Sequence, residues 1–164
     1  ITRGWKRAYL ACGSNMGDRE NYLNKAVEEL RQDKKCRVVA VSDWMDTTPY
    51  GEVEQDNFLN GAIAVDTLYP PQELLEFLHE VERENDRERL VHWGPRTLDL
   101  DILLYEGCTM YTEKLKIPHI DMHNRDFVLK PLMQIAPYEV HPLLGKTIAQ
   151  LYEAVQNGGE KHIL

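Results

Sequence analysis

Asp99 and Asp101 stand one residue apart in Leu98-Asp99-Leu100-Asp101-Ile102-Leu103-Leu104, where apolar and acidic side chains alternate. Alternation of period two marks a pleated strand, and it sends both carboxylates to one face, about 6.6 Å apart along the strand. Two like charges that close raise each other's pKa unless cations neutralise them. Oxygen-rich pairs suit hard ions; Mg²⁺ keeps several waters and takes one or two carboxylates plus substrate phosphates. Just upstream, Trp93-Gly94-Pro95-Arg96 supplies an aromatic face, a rigid turn and a guanidinium matched to phosphate geometry. An isolated Asp-x-Asp is more often the solvated face of an edge strand, so these residues need company.

Company exists in the form of cations that could orient a polyphosphate: Arg87, Arg89, Arg96, Lys114, Lys116, His119 and Arg125. His119 and His123, four apart, raise the question of zinc. Pro118 leaves their lead-in non-helical, and no Cys or Glu-His partner sits at zinc spacing, so zinc is not expected.

The elements that must hold these groups follow from pattern. Residues 7–12 form a first strand ending at Gly13-Ser14-Asn15, and Asp18 caps a helix carrying Tyr22, Leu23, Ala26, Val27 and Leu30 at helical spacing. Val38 to Met45 is a second strand, residues 47–57 a polar loop, and Phe58 to Val65 a third strand. Pro70-Pro71 opens a helix with Leu74, Leu75, Leu78 and Val81 on its apolar stripe. Residues 83–95 lose periodicity and alternate basic with acidic residues, which reads as a long mobile loop, of a length usually functional or disordered, ahead of the Asp-Leu-Asp strand. The order β-α-β-β-α-β predicts an α+β, ferredoxin-like core. A C-terminal helical segment is added to it. One helix from Asn124 to Ile135 should be bent or broken at Pro131; another, capped by Thr147, runs through Val155 and ends at Asn157-Gly158-Gly159.

At 164 residues the chain fits one domain, 1–164. A net charge of −8 argues against general nucleic-acid binding. No apolar run is long enough for a membrane span, and Cys12, Cys36 and Cys108 are too few and too scattered for a disulfide framework, which fits a reducing cytoplasm. The first residue, Ile1, is not Met, which suggests a chain cut from a longer polypeptide.

The string Trp-Gly-Pro-Arg-x-x-Asp-Leu-Asp-Ile at 93–102, with Gly13-Ser14-Asn15 and Pro118-His119-x-Asp121-Met122-x-Asn124-Arg125-x-Phe127, resembles the 6-hydroxymethyl-7,8-dihydropterin pyrophosphokinases of folate biosynthesis. The resemblance runs from about Ala8 to about Leu144. It implies transfer of the terminal pyrophosphoryl group of ATP to the hydroxymethyl of the reduced pterin, releasing AMP. Two Mg²⁺ ions on Asp99 and Asp101, with Arg87 and Arg96, would serve the reaction. It also implies nucleotide contacts from Glu82, Arg89, Trp93, Arg96, Ile102, Lys114, Lys116, His119 and Arg125. The pterin would lie between Phe58 and Phe127, with Asn60 at its edge and Gly13, Thr47, Thr48 and Tyr50 lining the rest. A fusion or association with another folate-pathway enzyme is implied as well.

Departures from the family pattern are Thr48 where proline is common, Phe58 for tyrosine, Ile120 for tyrosine, and an 83–92 loop one residue short. Two readings of other classes remain. A nucleic-acid-binding module shares the element order but would show exposed aromatics on a basic sheet. A two-metal nuclease or nucleotidyl transferase could use the same Asp pair.

Overall fold

The computed structural model describes residues 4–15, 18–47, 58–85 and 98–162, the side chains of Thr47 and of 158–162 excepted. Its elements in order are β1 (Lys6–Ser14), α1 (Arg19–Gln32), β2 (Cys36–Val41), β3 (Met45–Thr47), β4 (Phe58–Thr67), α2 (Pro71–Asn85) and β5 (Asp99–Tyr105). A short hairpin, β6 (Met110–Tyr111) with β7 (Lys116–Ile117), precedes a 3-10 turn (Met122–Asn124), α3 (Asp126–Ile135) and α4 (Ile148–His162). The main sheet runs β2-β4-β1-β5, with β3 also beside β4, and every pairing is antiparallel. This is the expected ferredoxin-like order.

Each face of the sheet owns one core. Ala8, Leu10 and Cys12 of β1 and Ile63 and Val65 of β4 pack with Leu23, Ala26, Val27 and Leu30 of α1 and Leu74, Leu78 and Val81 of α2. The alternate residues Tyr9, Ala62 and Ala64 pack with Val128, Leu129 and Leu132 of α3 and Ile148 and Leu151 of α4. Period-two alternation thus feeds two helical layers. Each fully buried Leu is worth about 1.5–3 kcal/mol of transfer free energy. The helix starts follow the sequence closely. The Asp18 carboxylate accepts the Asn21 amide at 3.2 Å. Thr147 and Gln150 exchange reciprocal bonds, Gln150 N–H to Thr147 Oγ1 at 3.1 Å and Thr147 N–H to Gln150 Oε1 at 2.8 Å.

Several expectations need correction. The second strand is not continuous from Val38 to Met45: it breaks over Ser42-Asp43-Trp44, so β2 and β3 pair with successive parts of β4. The break is closed by the Ser42 N–H to the Ala62 carbonyl at 2.9 Å and the Ala62 N–H to Ser42 Oγ at 2.8 Å. α2 continues through Asn85, three residues into the stretch expected to be loop. α3 is unbroken across Pro131. The lost bond and ring clash cost about 3 kcal/mol or more. Burial of Val128, Leu129, Pro131 and Leu132 offsets that cost. α4 runs past Gly158-Gly159 to His162, since glycine costs a helix only about 1 kcal/mol and does not forbid it. The β6–β7 hairpin is too short to show as alternation. Among the described residues no helix is long and apolar enough to cross a membrane.

Candidate active site

Register brings the acidic pair to a stretch of sheet floored by small residues. Asp99 pairs with Gly13, Gly13 with Asn60 and Asn60 with Met45, forming one row across β5, β1, β4 and β3. The next row on the same face is Asp101, Ala11 and Ala62. Strand spacing of about 4.8 Å sets the backbones of Asp99 and Asn60 about 10 Å apart, with Gly13 between them. The face is the one packed by α3 and α4, as its alternation with Tyr9, Ala62 and Ala64 requires. Asp101 is exposed and Asp99 half-buried, while Leu100 and Ile102 between and beyond them point into the opposite core. The carboxylates are therefore open to solvent and to a ligand.

The aromatic residues expected around a flat ligand share that face. Phe58 lies two residues from Asn60 on β4, and its ring leans toward β1: a Cβ built on Gly13 would meet Phe58 Cδ1 at 3.8 Å. Phe127, in the first turn of α3, is half-buried against the same cluster. The Arg125 guanidinium stands over the Phe127 ring, 5.8 Å from its centroid. One cation thereby adjoins the aromatic wall.

A second group of expected residues follows the outer edge of β5, which among the described residues no other strand covers in the order β2-β4-β1-β5. The His119 amide donates to the Leu103 carbonyl at 2.9 Å, docking the segment after β7 on that edge. The Asp121 amide donates to His119 Nδ1 at 3.4 Å. Arg125 is held by the Asp121 carboxylate at 3.4 Å. Lys116 sits over Tyr111, its ammonium 5.2 Å from the ring centroid, and Lys114 is exposed in the 112–115 turn. Ile102 is 3% exposed, so what it offers a ligand is its backbone. Glu82 is buried, and its Oε2 accepts the Leu100 amide at 2.8 Å.

The structure thus brings Asp99, Asp101, Gly13, Phe58, Asn60 and Phe127 to one face, with Lys116, His119 and Arg125 at its β5 side. Arg87, Arg89, Trp93, Arg96, Thr48 and Tyr50, with the side chain of Thr47, lie outside the described residues. Sequence reasoning passed over Asp121, which orients both His119 and Arg125; its only signal was its place in the Pro118 to Phe127 string.

Among the described residues no three His, Cys, Asp or Glu side chains gather at metal-binding distance. A pair of nearby carboxylates is a donor set that fits an ion whose other positions go to water and phosphate, as with Mg²⁺. His123 belongs to a different contact, edge-on to His141 at 6.2 Å between ring centroids. Helical layers cover both faces of the sheet, unlike the open aromatic sheet of an RNA-binding module.

Residues 9–137 match the family model described as 7,8-dihydro-6-hydroxymethylpterin-pyrophosphokinase. The chain is 44% identical over 158 residues to the bifunctional protein FolKE of Lactococcus lactis, an alignment covering 95% of this chain and 44% of that protein. It is 48% identical over 128 residues to the 2-amino-4-hydroxy-6-hydroxymethyldihydropteridine pyrophosphokinase of Bacillus subtilis, covering 78% of this chain and 77% of that one. With the enzyme of the same name from Methylorubrum extorquens it shares 41% identity over 157 residues, 96% of this chain and 98% of that one. Against Plasmodium falciparum HPPK-DHPS with pteroate the TM-score is 0.72 at 16% identity, over 98% of this chain and 44% of that one, a likeness of fold. The chain spans less than half the length of the FolKE proteins it matches.

Proposed function

The chain belongs to the 7,8-dihydro-6-hydroxymethylpterin-pyrophosphokinase family, and from that premise we propose that it transfers the terminal pyrophosphoryl group of ATP to the hydroxymethyl of 6-hydroxymethyl-7,8-dihydropterin, releasing AMP. The observation that carries this reading is the cross-strand row Asp99-Gly13-Asn60. It sets a solvent-facing carboxylate pair at one end of a glycine floor and a hydrogen-bonding amide at the other.

In this reading Asn60 pairs with the edge of the pterin while Phe58 and Phe127 take its faces, with Thr47, Thr48 and Tyr50 completing the wall. The acceptor hydroxyl then points along the floor toward Asp99 and Asp101. These carboxylates would hold two Mg²⁺ ions, which supply charge neutralisation of the phosphates and a lowered hydroxyl pKa. Lys116, His119 and Arg125, joined by Lys114, Arg87, Arg89, Trp93 and Arg96, bind the nucleotide and offset charge that moves to the AMP leaving group. No side chain at the site stands out as a strong base, so alignment of donor and acceptor carries the rate. The 164 residues act as one pyrophosphokinase domain, working fused to or beside another folate-pathway enzyme. Three unpaired thiols suit a reducing cytoplasm.

One incubation with ATP, Mg²⁺ and the reduced pterin, followed by nucleotide chromatography, tests the proposal. AMP formed in step with pterin pyrophosphate is the expected result. ADP, or free pyrophosphate without a pyrophosphorylated pterin, overturns it.

A further inference from the structure

We infer that Glu82 is a positioning residue for the Asp99–Asp101 pair, fixing from the opposite face of the sheet the strand that carries them. The inference rests on the metal-binding reading of that pair.

Glu82 lies in the last turn of α2, which packs on the face away from the two aspartates. It is 9% exposed, and its Oε2 accepts the amide of Leu100, the single residue between Asp99 and Asp101, at 2.8 Å. Among the described residues β5 is an edge strand, and no strand of that set pairs with the amides on its outer side. Left unheld, such a strand can shift its pleat, and a shift of one residue would turn both carboxylates to the other face. The side chain of Leu100 is buried in the same cluster as Leu78 and Val81 of α2. The helix therefore grips Leu100 twice, by side chain and by amide, and fixes the direction of its two neighbours.

Placement supports a specific purpose. A helix C-terminus favours cations and disfavours a carboxylate, and burial adds a desolvation cost that only a good hydrogen bond offsets. An acid at this position is poor for α2 by itself. The Leu100 amide, at 2.8 Å, is one compensation for it.

Gln keeps an acceptor oxygen and removes the charge, whereas Leu removes the acceptor, so Glu82→Gln and Glu82→Leu separate geometry from electrostatics. The readouts are Mn²⁺ affinity by titration, turnover, KM for ATP at saturating Mg²⁺, and hydrogen exchange at the Leu100 amide. Glu82→Gln is expected to keep parental Mn²⁺ affinity and Leu100 protection. Glu82→Leu should lose about 10–100-fold in Mn²⁺ affinity and turnover, the scale for partners that orient metal ligands, with KM for ATP unchanged. A raised KM for ATP in both variants with parental Mn²⁺ affinity makes Glu82 a nucleotide contact and overturns the inference. Parental Mn²⁺ affinity in Glu82→Leu overturns it too. If Glu82→Leu does not fold, Glu82→Gln decides: loss of Mn²⁺ affinity there means charge, not position, and again overturns it. A parent that binds Mn²⁺ but makes no AMP fails the proposed reaction and leaves this test intact. A parent that binds no Mn²⁺ overturns the inference outright.

Discussion

Asn60 leans over Gly13: a Cβ built on Gly13 would stand 2.8 Å from Asn60 Oδ1. The amide expected to read the pterin edge is therefore held where only a glycine leaves room. Gly13→Ala should push Asn60 aside and raise KM for the reduced pterin by about ten-fold, equivalent to about 1.4 kcal/mol, with KM for ATP nearly unchanged. Melting temperature should move little, because the contact is to the far end of a side chain and not to backbone. Steady-state kinetics with each substrate varied in turn checks both halves; an equal rise in both KM values would place Gly13 outside the pterin wall.

The second prediction concerns the strand break. Trp44 lies over Gly61, within contact distance of where a Cβ would sit, and its Nε1 donates to Asn24 of α1 at 3.0 Å. The indole fills the glycine's missing side chain and ties the β2–β3 junction to α1. Gly61→Ala should destabilise by about 1–3 kcal/mol, the cost of overpacking, and Trp44→Ala in the same chain should recover part of it. Urea titrations with an unchanged slope and a shifted midpoint would confirm a native-state clash. Additive losses in the double variant would count against the contact.

These two glycines show what pattern can and cannot carry. Alternation over 98–102 placed Asp99 and Asp101 on one face, and the caps at Asp18 and Thr147 fixed two helix starts, because those signals are local; the expected alternation fails at Leu104, which a register shift opposite Tyr9 and Leu10 sends to the other core. The break at Ser42-Asp43-Trp44 escaped because its contacts, Trp44 against Gly61 and Ser42 with Ala62, lie about twenty residues away on β4 and are invisible to local periodicity. Glu82 was assigned to the nucleotide by resemblance, yet its bond to Leu100 bridges α2 and β5. The continuity of α3 across Pro131 was equally hidden: buried contacts from its neighbours outweighed a correct local rule. Register, which aligns Asp99 with Gly13 and Asn60, is a tertiary fact.

The third prediction uses His141, which is 4% exposed and whose Nδ1 accepts the Leu143 amide at 3.3 Å and the Leu144 amide at 3.2 Å. Burial, with the neighbouring His123 adding to it, lowers its pKa below the ordinary 6.5. Below that ordinary value the unfolded chain takes up the proton before the folded one does. The stability this histidine contributes is thus fully present above pH 6.5 and lost as pH falls through that value toward its lowered folded pKa. Protonation at Nδ1 would also remove the acceptor of both amides. Thermal melts between about pH 8 and pH 5 should show a fall on the acid side. That fall should shrink in His141→Asn, whose carbonyl can accept without titrating. An identical acid-side fall in the variant would assign the loss to other groups.

The last prediction concerns the acidic pair. Asp99→Ala and Asp101→Ala should each abolish most turnover if the pair holds the metal as proposed, since each variant then lacks one carboxylate ligand and leaves triphosphate charge uncompensated. Stability should not follow activity. Asp101 is exposed and Asp99 half-buried beside Gly13 and Ala11, so neither supports the core. Exposed substitutions of this kind fall within about 0.5 kcal/mol, or about 2 °C in melting temperature for a domain of this size. Relief of repulsion between the two carboxylates favours the variants slightly in the absence of metal. A melt in EDTA beside an AMP-release assay in Mg²⁺ reads both quantities. A solvated edge pair would leave turnover near the parent's. A structural ion-pair role would lower the EDTA melt together with activity. An inactive protein that melts as the parent does in EDTA, but no longer gains melting temperature on adding Mg²⁺ and an ATP analogue, is the expected outcome, because the parent alone keeps a site that ligand can stabilise by mass action.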